Sequence, residues 1–150
     1  MRIPTLDIIH SAQEVPPDEG EEIVILSADR AALAKRRWRG VAQDAREFGF
    51  DLDHALHDGS VFFREVGKCY VISQAPEPVL EIELGCEPDS VARLAWQIGN
   101  LHFPIEVTKS VIRTADDPAV RQMLQRERAD WRPATEVFRP ITSAGHAHRH

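Results

Sequence analysis

Val79-Leu80-Glu81-Ile82-Glu83-Leu84 alternates residue by residue, and the segments that follow it decide the fold. Leu80, Ile82 and Leu84 fall on one side of an extended chain and Val79, Glu81 and Glu83 on the other, the period of a strand with one buried face. Asp89 and Ser90 are placed to cap a following helix, in which Val91, Leu94, Ala95 and Ile98 recur at helical spacing. Phe103, Ile105 and Val107 alternate again, residues 108–110 supply a turn, and 111–113 return as a further strand. Asp117-Pro118 is a cap followed by a helix-starting proline, with Val120, Met123 and Leu124 as the apolar stripe. Residues 135–141 close the series as a last strand. The order is βαββαβ, in which two helices cover one face of a four-stranded antiparallel sheet and leave the other for a partner or for solvent. Many activities are carried by that plan, so it decides none of them.

Upstream, Ala75-Pro76-Glu77-Pro78 carries two prolines that stiffen and extend the chain, and it marks the domain boundary. Before it, segments 37–42, 46–52, 60–64 and 69–74 recur between the turn signals Gln43-Asp44-Ala45, His57-Asp58-Gly59 and Val66-Gly67-Lys68, the spacing of a small β domain. Strands are also expected at 3–9 and 23–26, an exposed polar loop at 11–22, and either a helix or a charged edge segment at 27–37. The expected architecture is α+β: a small β-rich domain over 1–75, a βαββαβ domain over 76–143 and a polar tail over 144–150.

The 24 acidic and 18 basic residues leave a formal net charge of -6, which argues against nucleic acid or an anionic membrane as the main partner. No apolar run approaches the roughly 20 residues that span a bilayer, and the start lacks a secretory signal, so a cytoplasmic location is expected. Cys69 and Cys86 form no CxxC pair; both are expected as reduced, buried thiols. No Ser/His/Asp order, phosphate-cradling glycine loop or HExxH motif is present, so no enzyme activity is expected.

Chemistry concentrates in Gly99-Asn100-Leu101-His102-Phe103-Pro104 and in the last six residues, Gly145-His146-Ala147-His148-Arg149-His150. Neutral imidazole is the usual ligand for nickel, copper and zinc, so metal handling is the first hypothesis. If the helix runs to its expected end, His102 lies on its apolar face, where it is either a core histidine satisfied by a carbonyl or a ligand. One imidazole binds metal weakly, whereas a symmetric dimer would set two copies of His102 opposite each other. His146, His148 and His150, spaced His-x-His-x-His, can converge without a folded cradle; the alternatives are an end of accidental composition or part of an affinity tag. His54 and His57, beside Asp51, Asp53 and Asp58, read as a solvated loop before they read as a metal cluster. Arg36, Arg37 and Arg39 around Trp38 read as an exposed strand before a nucleic-acid surface.

Trp96-Gln97-Ile98-Gly99-Asn100-Leu101-His102-Phe103-Pro104-Ile105 resembles the His-Leu-Gly-Asn-Arg-His signature of the UreE-type urease accessory proteins, which is followed by an apolar residue, proline and a strand. The resemblance extends to Arg36-Arg37-Trp38-Arg39, Glu47-Phe48-Gly49-Phe50-Asp51-Leu52, His57-Asp58-Gly59 and the histidine-bearing end. It implies a β-rich domain for peptide or partner contact and a ferredoxin-like domain that binds metal and dimerises. It further implies a homodimer that holds Ni(II) between the paired His102 imidazoles, with His146, His148 and His150 as added ligands. Such a protein would deliver nickel to urease apoprotein and its accessory GTPase complex, and Zn(II) or Cu(II) would suit the same ligands in vitro. The signature's earlier histidine falls on Gln97, and where some members carry a histidine pair this chain has Ala115-Asp116-Asp117-Pro118, so peripheral metal sites are not expected there. The competing class is a metal-independent assembly module whose β domain grips a partner chain.

Overall fold

Gly59 takes φ +86 and Gly67 φ +78, conformations that cost glycine nothing, and around these turns the first half of the chain folds back on itself. The computed structural model describes residues 5–142. The chain divides into two compact units, Met1–Ala75 and Pro76–His150.

The first unit contains β1 (Asp7–Ile9), β2 (Glu22–Ala28), the short helix α1 (Arg30–Leu33), β3 (Arg37–Val41), β4 (Glu47–Asp51), β5 (Val61–Glu65) and β6 (Lys68–Gln74). They form two three-stranded sheets, ordered β1-β4-β3 and β2-β6-β5. Segment 27–37 resolves into a single helical turn, because Asp29 caps it with a 2.7 Å bond from the Ala32 N–H and no apolar stripe carries it further. Leu26, Phe48, Phe50, Phe62, Tyr70 and Ile72 form the core. Phe48 meets Phe62 edge-on at 5.0 Å and Tyr70 at 5.2 Å, the orientation that ring quadrupoles favour.

A polar pin fastens the β3–β4 turn to that core. Ala45 makes the turn at φ +70, and the buried Tyr70 hydroxyl donates to Asp44 at 2.6 Å. Arg46 reaches Asp7 at 2.9 Å and Glu65 at 2.6 Å while its guanidinium lies 4.5 Å from the Phe63 ring centre.

The second unit contains β7 (Glu77–Glu83), α2 (Pro88–Asn100), β8 (Ile105–Val107), β9 (Val111–Ala115), α3 (Pro118–Arg126) and β10 (Trp131–Glu136). The sheet runs β10-β7-β9-β8 with every pairing antiparallel, so the fold is α+β and this half has the βαββαβ plan. Leu80, Ile82 and Ile112 of the sheet pack with Ile98 of α2 and with Val120, Met123 and Leu124 of α3. On the opposite face Glu81, only 6% exposed, is held by Arg113 at 2.8 Å and Arg132 at 3.3 Å. Arg113 also reaches Glu106, and Arg132 reaches Glu83.

Several boundaries differ from expectation. β7 begins inside the proline segment, since Pro78 pairs only with Thr135 and the β9 ladder starts at Val79, so its missing N–H is tolerated. Helix α2 starts at Pro88 with Glu87 as its N-cap, not at Asp89 or Ser90, because proline supplies a preset first position. The last strand begins at Trp131 rather than at 135: Arg128 takes φ +54 just past α3, and the immediate reversal sets Trp131 opposite Ile82. Cys69 is buried as expected, but Cys86 is exposed, since it lies in the segment between β7 and α2 rather than in either. Among the described residues no helix is long and apolar enough to cross a membrane.

Burial and the bond to Asp44 push the Tyr70 phenol up to about 12. Its proton is therefore held more tightly folded than unfolded, and the associated stability is complete below pH ~10 and lost as pH rises toward 12. Tyr70 is the chain's one tyrosine, so tyrosinate absorbance reads it directly. The expected result is titration near 12 and a matching alkaline loss of stability that Tyr70→Phe abolishes.

Candidate metal centre

Helix α2 presents Val91, Leu94, Ala95 and Ile98 to the core, and then its last turn weakens. Gly99 and Asn100 are poor helix residues, and a methyl group at Gly99 would meet nothing, so packing does not require glycine there. The helix closes through a pair of reversed hydrogen bonds. The His102 N–H donates to the Gly99 carbonyl at 2.9 Å and the Phe103 N–H to the Ile98 carbonyl at 3.3 Å. This is the Schellman closure, and the accompanying apolar contact is met by Phe103 and Ile98 in one cluster.

The residue at the turning position must be left-handed, and here it is His102, at φ +65. Glycine usually fills that place; histidine is among the few side chains enriched there. The helix has already ended and the chain has changed hand, so His102 is not on the apolar face of α2 as expected from spacing. It is exposed, and its ring makes no hydrogen bond or ion pair among the described residues. A core histidine satisfied by a carbonyl is therefore not what the structure contains. Beyond it Phe103 enters the core, and the Pro104 carbonyl accepts a 3.0 Å bond from the Thr114 hydroxyl.

The other proposed ligands, His146, His148 and His150, lie outside the described residues. His54 lies 3.5 Å from the Asp53 carboxylate, while His57 Nδ1 is 2.9 Å from the Asp58 carbonyl. The Asp58 carboxylate in turn caps the Gln74 N–H at 2.8 Å. Among the described residues no group of three or more His, Cys, Asp or Glu side chains comes together to hold a metal ion. No such group, therefore, gathers around His102 among the described residues.

Gln97, at the earlier position of the signature, donates to Glu127 at 3.1 Å. Asp116 is engaged by Arg121 at 2.7 and 2.8 Å, which holds its carboxyl below the usual range, and Asp117 caps α3. Both carboxylates are occupied in structure rather than offered to a cation. Arg37 pairs with Asp51 at 2.9 Å on exposed β3. Two features escaped the sequence. Trp96, 67% exposed, and Leu101, 41% exposed, stand in the C-terminal part of α2 and at its cap. The helical pattern hints at Trp96, which falls outside the apolar stripe.

The family profile described as "UreE urease accessory protein, C-terminal domain" matches residues 77–150. A urease accessory protein UreE from Azorhizobium caulinodans is 33% identical over 141 residues, covering 91% of this chain and 66% of the relative. Its counterpart in a Chelativorans species is 32% identical over 127 residues, with 83% and 80% covered. A third, from a Ruegeria species, is 33% identical over 140 residues, with 90% and 76% covered. The chain thus spans about two thirds of the length of the Azorhizobium relative.

A left-handed backbone costs a residue that bears a Cβ on the order of 1–2 kcal/mol that glycine avoids, partly offset by glycine's greater unfolded freedom. His102→Gly should therefore raise the unfolding free energy by about 1 kcal/mol in urea denaturation. A loss of similar size would mean that the imidazole itself stabilises the turn.

Proposed function

The chain belongs to the UreE family of urease accessory proteins, and from that premise we propose that it is a nickel metallochaperone, a homodimer that carries Ni(II) between its two His102 imidazoles. The family name designates an accessory protein, not an enzyme. Nickel is cargo: it is bound, carried and handed on unchanged to urease apoprotein through the accessory GTPase complex.

The single observation that carries this reading is the placement of His102. Its backbone is fixed by the helix closure, while among the described residues neither ring nitrogen has a partner and the side chain is exposed. An isologous interface would bring the same residue from a second copy opposite it and convert one weak donor into a pair. Exposed Trp96 and Leu101 supply apolar surface for that contact. His146, His148 and His150 complete the ligand set and add capacity. Imidazole also accepts copper and zinc, so selectivity for nickel comes from supply and partners rather than ligand type. In this scheme 76–143 binds metal and dimerises, 144–150 is the ligand tail, and 1–75 contacts the partner, with the cytoplasm as the setting.

Titration of the full chain with Ni(II), followed by calorimetry and by native mass spectrometry, should give about one tight metal per two chains. His102→Ala should remove that tight site, whereas deletion of 145–150 should lower total capacity and leave the dimer intact. Trp96→Asp should shift the protein toward monomer and weaken nickel binding with it. Failure of the wild-type chain to take up nickel would instead favour a metal-independent assembly module.

A further inference from the structure

We infer that Thr114, which touches no metal in the proposed scheme, is a positioning residue that sets where the His102 imidazole stands. This inference rests on the reading of His102 as the nickel ligand. Metal-binding histidines usually donate their second ring nitrogen to a carbonyl or carboxylate, which fixes the ring. His102 has no such partner among the described residues, so its placement depends on the backbone that bears it.

That backbone is held at both ends. On the helix side the Leu101, His102 and Phe103 N–H groups are bonded to the Gln97, Gly99 and Ile98 carbonyls. On the strand side, beyond the Phe103 ring packed in the apolar cluster, the Pro104 carbonyl is bonded by the Thr114 hydroxyl at 3.0 Å. Thr114 is itself built into the sheet: it is 0% exposed, in β9, in register with Leu80 on one side and Ile105 on the other. Its hydroxyl is the polar group of a side chain otherwise set among Leu80, Ile112 and Ile105, where valine would pack equally well. Pro104 cannot share the task through its own nitrogen, because proline has no N–H. The hydroxyl thus ties the exit of the left-handed turn to the centre of the sheet, and without it the His102–Pro104 segment would pivot about Phe103.

The test compares Ni(II) affinity, with the metal alone as probe, in full-length wild type, Thr114→Val, Thr114→Ser and His102→Ala, each with a thermal melt. Thr114→Val keeps shape and burial but loses the donor, and should weaken nickel binding about tenfold, the low end of what removing a supporting hydrogen bond costs a metal site. Thr114→Ser should restore affinity close to wild type, a rescue that a purely packing role would not produce. Thr114→Ala provides the same deletion should the valine variant fold poorly. Wild-type affinity in Thr114→Val, alongside loss in His102→Ala, would overturn the positioning role and leave the ligand assignment standing. Equal weakening in the serine and valine variants would also overturn it. Unchanged affinity in His102→Ala would remove both.

Discussion

Helix α2 can hand the chain to β8 only if the residue after its cap turns left-handed, and His102 is that residue. The turn is enforced by the Phe103 N–H on the Ile98 carbonyl and by both side chains entering one apolar cluster. Releasing it would withdraw Phe103 from that cluster and break its hydrogen bond, losses that together offset the strain of a left-handed histidine. The core therefore selects the backbone conformation, and the imidazole is carried outward as a consequence. The same closure recurs at α3, where the Ala129 N–H reaches the Leu124 carbonyl and Arg128 turns left-handed. There it sets the start of β10, and here it presents an imidazole.

A carrier has to bind tightly enough to hold its cargo and openly enough to release it. An imidazole that spends neither nitrogen on the protein keeps its donor capacity for metal, and an exposed position leaves room for a receiving partner. The cost is that among the described residues no group of His, Cys, Asp or Glu side chains gathers to complete a coordination sphere. Dimer symmetry and the histidine-bearing end answer that deficit in the proposed scheme. The ion-paired face of the sheet is the counterpart: Arg113 and Arg132 both engage Glu81, so that carboxylate is not left to compete for a divalent cation.

Much of the second unit was legible because its signals are local and redundant. Leu80 and Ile82 alternate into the core, Asp117-Pro118 starts α3 as its residues predict, and Thr108 makes the turn before β9 by accepting the Val111 N–H at 3.0 Å. The placing of His102 and the start of the last strand went wrong for one reason: each lies where a non-glycine residue adopts a left-handed conformation. Helical periodicity extended through residue 102 puts His102 on the buried face; one left-handed residue after the cap exposes it. Arg128 displaced the last strand by the same means, and no propensity marks an arginine for that role. The first unit was read as strands between turns, but its two parallel pairings, β1 with β4 and β2 with β6, join segments far apart in sequence and leave no local trace. The family was legible from the Gly-Asn-x-His stretch, and that stretch is the end of α2 together with its closure.

The most direct measurement is a crystal structure of the nickel-loaded full chain, with the metal located by its anomalous scattering. A nickel ion on a two-fold axis, bonded to a His102 imidazole from each of two chains, is the predicted result. Nickel bound elsewhere, with His102 solvated and remote from any second copy, would contradict the account.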